Sequence, residues 1–389
     1  MQAISADSHV VESPDVFAGL ADKFGDEAPR VVKTDTGGDA ILIPSRPGDQ
    51  GSNIAIMCLA ATRLDKDGPI ERKRGKKPQA GSIIDPEIAA YFNGGYAAIR
   101  PGLKDGARRG EDQDVDGVSA EVLYPGYFSM FKTPNDDLLI ALEKNYNDWL
   151  HDHCAVSKGR LYGLAALPMQ NPKVALEEFK RVLKLGYKGV IIPQNAPTGT
   201  HYFDEIYDPI WALAQESGTP ISMHVACFAE TPEWVIKAAM RDNIALYANS
   251  HALIHETLID LMVRGVCKKF PGVKFVLAEF NAGWIAHFLD RLDQAWQREY
   301  GKNPNGIPYE PVVFETWRRQ FYATIEDDHP AVRTRDIIGV DNLLWGSDYP
   351  HTDSTFPCSG EVLDEMFKEY PAEVRQKITH DNVKALYGI

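Results

Sequence analysis

The chain has little that would tie it to nucleic acid, to a membrane or to a disulfide framework. Its 389 residues carry 41 Lys and Arg against 55 Asp and Glu, a formal charge of -14. Nucleic acids and anionic lipids are bound through basic patches, so neither is expected as a partner. No apolar run reaches the ~18 residues of a membrane span, and no basic segment followed by an apolar one marks a secretory leader. The five cysteines, Cys58, Cys154, Cys227, Cys267 and Cys358, are odd in number, widely spaced and without a CxxC pair. That pattern argues against a disulfide set or a thiolate zinc site and suits a reducing cytoplasm. A phosphate-cradling glycine loop, a serine nucleophile elbow, a dinucleotide fingerprint and internal repeats are also missing.

What is present is a rhythm. Short apolar or β-branched runs end in polar residues and are followed by helical stretches, as in βα units of a parallel sheet. The runs are Ala3 to Asp7, Ala120 to Tyr124, Tyr162 to Leu167, Gly189 to Pro193, Pro220 to His224, Val273 to Ala278, Gln320 to Ile325 and Asn342 to Trp345. Eight such units predict a (β/α)8 TIM barrel, and the chain exceeds the ~250 residues that fold commonly takes. The clearest helix is predicted over Pro172 to Leu185, closed by Gly186; a second is predicted from Glu256 to Phe270, before Pro271-Gly272. Residues 33–109 break the rhythm. They are rich in Gly, Pro, Lys and Arg and include the basic run Ile70-Glu-Arg-Lys-Arg-Gly-Lys-Lys-Pro78. The reading is one barrel domain over 1–389, with a long insertion after strand 1 that is either a solvated linker or a lid on the face where barrel active sites lie.

Residues at the C-terminal ends of barrel strands point into the mouth, so polar groups that interrupt apolar strands there are the candidates. Strand 1 ends in Asp7-Ser8-His9, strand 5 in His224, strand 6 in Glu279, and strand 8 runs into Asp348. Asp7 and His9 alternate on an extended chain and can reach one ion together. Imidazole and carboxylate suit divalent Zn, Mn or Fe, and carboxylates converging in one cavity repel without a cation. His251, near the helix after strand 5, is a further ligand candidate. His351, three residues past Asp348, is a candidate to orient that ligand or the substrate by a hydrogen bond. Glu326, Asp327 and Asp328 are candidates for a supporting shell or a helix start, and Tyr124, Trp284, Tyr349 and Phe356 for an apolar pocket wall.

These residues sit in motifs that resemble the amidohydrolase-related proteins, in the branch that includes amino-carboxymuconate-semialdehyde decarboxylase. The matching stretches are Ala6-Asp-Ser-His-Val10, Leu167-Pro-Met-Gln-Asn-Pro172, Leu185-Gly-Tyr-Lys-Gly-Val190, His224, Phe270-Pro-Gly-Val-Lys274 and Trp345-Gly-Ser-Asp-Tyr-Pro-His351. The resemblance implies that Asp7, His9, His224 and Asp348 are metal ligands, that the substrate is a small organic molecule, and that two chains form a homodimer. There are two departures. Asp7 stands where many relatives have His or Glu. In Ala278-Glu-Phe-Asn-Ala-Gly-Trp284, Glu279 stands where relatives often carry a catalytic His.

Three reactions are then open. The first is hydrolysis of an ester, lactone or amide by metal-activated water, with Asp348 taking the proton and Glu279 assisting. The second is non-oxidative decarboxylation of an aromatic or unsaturated acid. The third is a diiron oxygenase, because Asp7, His9, His224, His251, Glu279 and Asp348 are enough ligands for two ions rather than one.

Overall fold

Strands that are buried on both faces need apolar side chains at every position, and in this chain such runs pair in parallel. The computed structural model describes residues 2–35, 37–44, 52–53, 93–239, 243–299, 313–351 and 354–389. Its barrel strands are β1 (Ala3–His9), β2 (Val118–Tyr124), β3 (Leu161–Gly163, continued by Ala165–Ala166), β4 (Val190–Ile191), β5 (Ile221–His224), β6 (Phe275–Ala278), β7 (Phe321–Ile325) and β8 (Leu343–Trp345). Each of the eight predicted runs overlaps one of them. Registers such as His9↔Tyr124, Val122↔Tyr162, Ala165↔Val190, Ile191↔Ser222, Ala278↔His224, Val276↔Tyr322 and Ile325↔Trp345 link β1 through β8 in chain order.

Beyond the end of β8 the ring is completed by two backbone hydrogen bonds, Asp348 N–H to Asp7 O at 2.8 Å and His9 N–H to Tyr349 O at 2.7 Å. Three buried hydroxyls, Ser5, Ser8 and Ser347, lie 2.9 to 3.2 Å from one another at the same seam. Gly346 has no substitute there, because a Cβ on it would stand 2.4 Å from the Cβ of Asp7. Alternate strand residues divide between two apolar layers. Phe275, Leu277, Leu343 and Trp345 join the cluster that packs on the helices, whereas Val276, Ala278 and Leu344 join the other.

Three helices show how local sequence and packing combine. They are α1 (Arg109–Asp116), α2 (Asp136–Ala155) and α3 (Pro172–Leu185). Helix α3 has the predicted bounds: Asn171 caps it by accepting from Val174 N–H, and Gly186 ends it at φ +92°. The helix expected over Glu256 to Phe270 is instead two pieces, His255–Val263 and Val266–Lys269. Gly265, at φ +104°, is the break, a conformation that a continuing helix does not contain.

Helix α1 reverses the usual pattern. Its buried residues are Arg109, Asp112, Gln113 and Asp116, at helical spacing, while Val115 is exposed. Arg109 binds Glu121 of β2 through Nε at 2.8 Å and Nη2 at 3.0 Å, and Gln113 donates to the same carboxylate at 2.9 Å. The guanidinium also lies 4.4 Å over the ring of Tyr349, whose hydroxyl donates to Asp112 at 2.7 Å. Asp116 accepts from both the N–H and the hydroxyl of Ser359. Of the expected insertion, the described parts are a hairpin of Arg30–Lys33 with Asp39–Leu42, its neighbour Ser52–Asn53, and the chain from 93 onward. The basic run Ile70 to Pro78 and Cys58 lie outside the described residues, and most of the expected lid with them.

Truncating one partner of a buried ion pair strands the other charge, at a cost of ~3–5 kcal/mol, whereas removing both costs much less. Arg109→Leu is therefore expected to lower the unfolding free energy by about that amount in urea titrations, and the Arg109→Leu/Glu121→Leu double variant to recover most of it. A single-variant loss below ~1 kcal/mol, the range of a surface pair, would contradict this account.

Candidate metal centre

The barrel brings Asp7 and His9 from the end of β1, His224 from the last position of β5, and Asp348 from the turn after β8 into one place, all fully buried. Glu279, the first residue after β6, reaches the same place with its side chain 15% exposed. His9 Nε2 lies 3.9 Å from Asp7 Oδ1 and 3.2 Å from Asp348 Oδ1. His224 Nε2 lies 3.5 Å from Asp7 Oδ1 and 3.3 Å from Glu279 Oε2.

The hydrogen bonds around this set decide which atoms are left for an ion. Nδ1 of His9 is 2.8 Å from the Pro125 carbonyl, and Nδ1 of His224 is 2.8 Å from the Val225 carbonyl. A carbonyl only accepts, so both Nδ1 atoms carry the proton and both Nε2 lone pairs face inward. Asp7 Oδ2 accepts from the Thr324 hydroxyl at 3.0 Å, which leaves Oδ1. Asp7 Oδ1, His9 Nε2 and His224 Nε2 are buried without a hydrogen-bond partner among the described residues, and they lie within 4.8 Å of one another.

Ligand atoms held ~2.0–2.2 Å from a shared ion stand roughly 3.0–3.6 Å apart, so these separations need only a small contraction. Burial, then the neighbouring His351 and His224, holds the His9 imidazolium well below its usual pKa, which keeps the ring neutral as a ligand. The donor set fits a divalent cation.

His9, Glu279, Asp348 and His351 form a second, overlapping group with the same 4.8 Å span. His351 was expected to orient Asp348 or the substrate by a hydrogen bond. In the structure its backbone N–H bonds to the Asp348 carbonyl at 2.9 Å, and its ring packs on His9 at a 40° tilt with centroids 4.2 Å apart. His251 is not brought to the centre. It stands in the turn Ser250–Ile254 against His255 and Trp284, with centroids 5.4 and 5.8 Å away. Asp328 is a helix cap, accepting from Ala331 N–H, that also holds the N–H groups of Ala282 and Gly283. Tyr349 and Phe356 pack on each other in the core at 4.1 Å, away from the expected pocket wall.

Two contributors escaped the sequence reading. Thr324, on β7, donates to Asp7 and accepts Glu279 N–H at 2.9 Å, so one hydroxyl positions two carboxylate residues. Its signal was a small hydroxyl residue in the otherwise large or apolar run Phe321 to Ile325. Phe128 packs on both imidazoles, 5.7 Å from His9 and 4.7 Å from His224, and nothing in its surroundings in the sequence pointed to this. The loops also store strain: Ala226, Glu279 and Asp348, after β5, β6 and β8, have φ of +61°, +60° and +58°. Residues other than glycine take that conformation at a cost of order 1–3 kcal/mol, which is tolerated where surrounding bonds enforce it.

A family model described as Amidohydrolase matches residues 106–389. The chain is similar to a gamma-resorcylate decarboxylase of Rhodococcus jostii, 25% identical over 232 residues that span 56% of this chain and 68% of that one. Among solved structures it is similar to an amidohydrolase from Mycobacterium avium subsp. paratuberculosis, with a TM-score of 0.75 at 21% identity over 100% of this chain and 99% of that one. It is also similar to a 5-carboxyvanillate decarboxylase from Novosphingobium aromaticivorans, solved with manganese and 4-hydroxy-3-methoxy-5-nitrobenzoic acid. There the TM-score is 0.63 at 20% identity, covering 72% of this chain and 80% of that one.

Equilibrium dialysis against manganese or zinc checks the centre. Asp7→Ala and His224→Ala are expected to lose bound metal, and Thr324→Val to weaken it by ~10–100-fold as the loss of a supporting hydrogen bond does. His251→Ala is expected to bind as the wild type does. Undiminished metal in Asp7→Ala would dismiss this ligand set.

Proposed function

The chain belongs to the amidohydrolase family, and from that premise we propose that it is a metal-dependent decarboxylase that removes the carboxylate of a small aromatic acid without oxidation. The observation that carries the reading is the similarity to gamma-resorcylate decarboxylase, a protein that acts on a hydroxylated aromatic acid by name. The order of reactions drawn from the sequence is thereby corrected. Hydrolysis stood first there, but the curated relative matched over 232 residues is a decarboxylase, which favours the second reading over the first.

The site's own chemistry supports this. A bound divalent ion supplies positive charge for the substrate carboxylate and an adjacent oxygen. Asp7, His9, His224 and Asp348 would hold it. Phe128 flanks His224 at 4.7 Å between ring centroids and, being partly exposed, offers flat apolar surface to an aromatic ring, while Tyr124, the other contact of His224 at 5.0 Å, is fully buried and lines no pocket wall. In the reaction the bond from ring carbon to carboxyl carbon breaks, its electron pair stays on the ring, carbon dioxide leaves, and the ring carbon takes one proton. Glu279 is our candidate for the group that delivers the proton. It is the least buried carboxylate of the set, and its N–H is fixed by Thr324. His351, packed on His9, faces the same space and is assigned to substrate contact.

The test is a panel of ortho-hydroxybenzoates with manganese in D2O, following CO2 and the arene by mass. One deuterium at the former carboxyl position is expected. Glu279→Gln is expected to lower kcat by ~10²–10⁴-fold, the size of a general acid's contribution, with metal content unchanged. Turnover of lactones or esters, with no CO2 from any aromatic acid, would overturn the assignment.

A further inference from the structure

Glu12 is a carboxyl that the reaction above does not use, three residues beyond His9 and 3% exposed. Its Oε1 accepts from two successive backbone N–H groups, Gly126 at 2.9 Å and Tyr127 at 3.0 Å. The Gly126 N–H and the Pro125 carbonyl belong to one peptide unit, and that carbonyl accepts the Nδ1 proton of His9 at 2.8 Å. One planar group therefore connects the Glu12 carboxyl to the imidazole whose Nε2 faces the metal position. Metal-bound histidines are commonly held through Nδ1 by a carboxylate or carbonyl, which fixes the ring and raises its basicity. Here both elements occur in series.

We propose that Glu12 is a positioning residue for the metal centre, acting through the Pro125–Gly126 peptide to orient His9 and strengthen it as a ligand. The same two hydrogen bonds hold the turn that leads into Phe128, the ring packed on His9 and His224. A packing role alone accounts poorly for a carboxyl here. Burial raises its pKa to about 7 against the pull of the backbone donors, a desolvation cost that space-filling alone does not require. The proposal rests on the metal centre described above.

The test compares manganese affinity, by competition with a chelator, in the full-length wild type and in Glu12→Gln, Glu12→Asp and Glu12→Leu. The urea midpoint of each metal-free protein confirms that it is folded. The amide oxygen of Gln can accept the same two N–H groups, so that variant is expected within threefold of wild type. Asp, one methylene shorter, and Leu, with no acceptor, are expected to weaken binding by ~10–100-fold. Should Leu fail to fold, Asp carries the comparison. Equal affinity in the wild type, Asp and Leu variants would overturn the role of Glu12 and leave the metal centre standing, as would a Gln variant as weak as Asp. A wild type that binds no divalent metal would overturn the centre itself and this inference with it.

Discussion

Two aspartates and two histidines are withdrawn completely from water at the mouth of the barrel, with a glutamate at their edge, and the surrounding structure answers that constraint. Buried carboxylates must be paired, hydrogen bonded or neutralised by a cation. The nearby guanidinium of Arg109 does not serve, because it is bonded at two points to Glu121. What remains is a set of inward lone pairs, with the outer atom of each of three ligands tied to Thr324, Pro125 or Val225. Those outer bonds turn a cluster of repelling groups into a preorganised donor set.

The same constraint bears on the seam between β1 and β8. Asp7 and Asp348 lie on opposite sides of it, and the backbone bond from Asp348 N–H to Asp7 O sets their spacing directly. Ser5, Ser8 and Ser347 fill the buried polar space behind, Gly346 permits the approach, and Arg109 stacks on Tyr349 just beyond. The positive φ of Asp348 is held by these contacts, a local cost met by the surrounding bonds. Helix α1 belongs to this arrangement: its buried polar stripe reaches β2 through Glu121, the turn after β8 through Tyr349, and the helix Ser359–Phe367 through Ser359.

Glu279 gives the site its individual character. A carboxyl where the resemblance implied a histidine adds negative charge beside the His224 Nε2 lone pair. The two overlapping groups of donor atoms share His9. His351 packs at a tilt against that same ring, so a displacement of His9 reaches both groups.

Much of this was legible along the chain. Parallel strands buried on both faces are continuous apolar runs, so all eight could be located, and a polar residue closing such a run marks the mouth, so Asp7, His9, His224, Glu279 and Asp348 could be named. Helix α3 was bounded correctly because its cap, its apolar stripe and its terminal glycine are local signals. Helix α1 was missed because its buried face is charged, and periodicity arguments look for apolar residues. His251 was misjudged as a ligand because nearness to a strand end in sequence does not say which way the following turn carries the side chain. Thr324, Phe128 and Glu12 act through partners on other strands and loops. The sequence by itself determined the barrel and the chemical types gathered at its mouth, since both follow from short-range patterns of polarity. Only the tertiary structure decided which atoms are left with lone pairs facing inward, because that depends on hydrogen bonds between residues as far apart as Asp7 and Thr324.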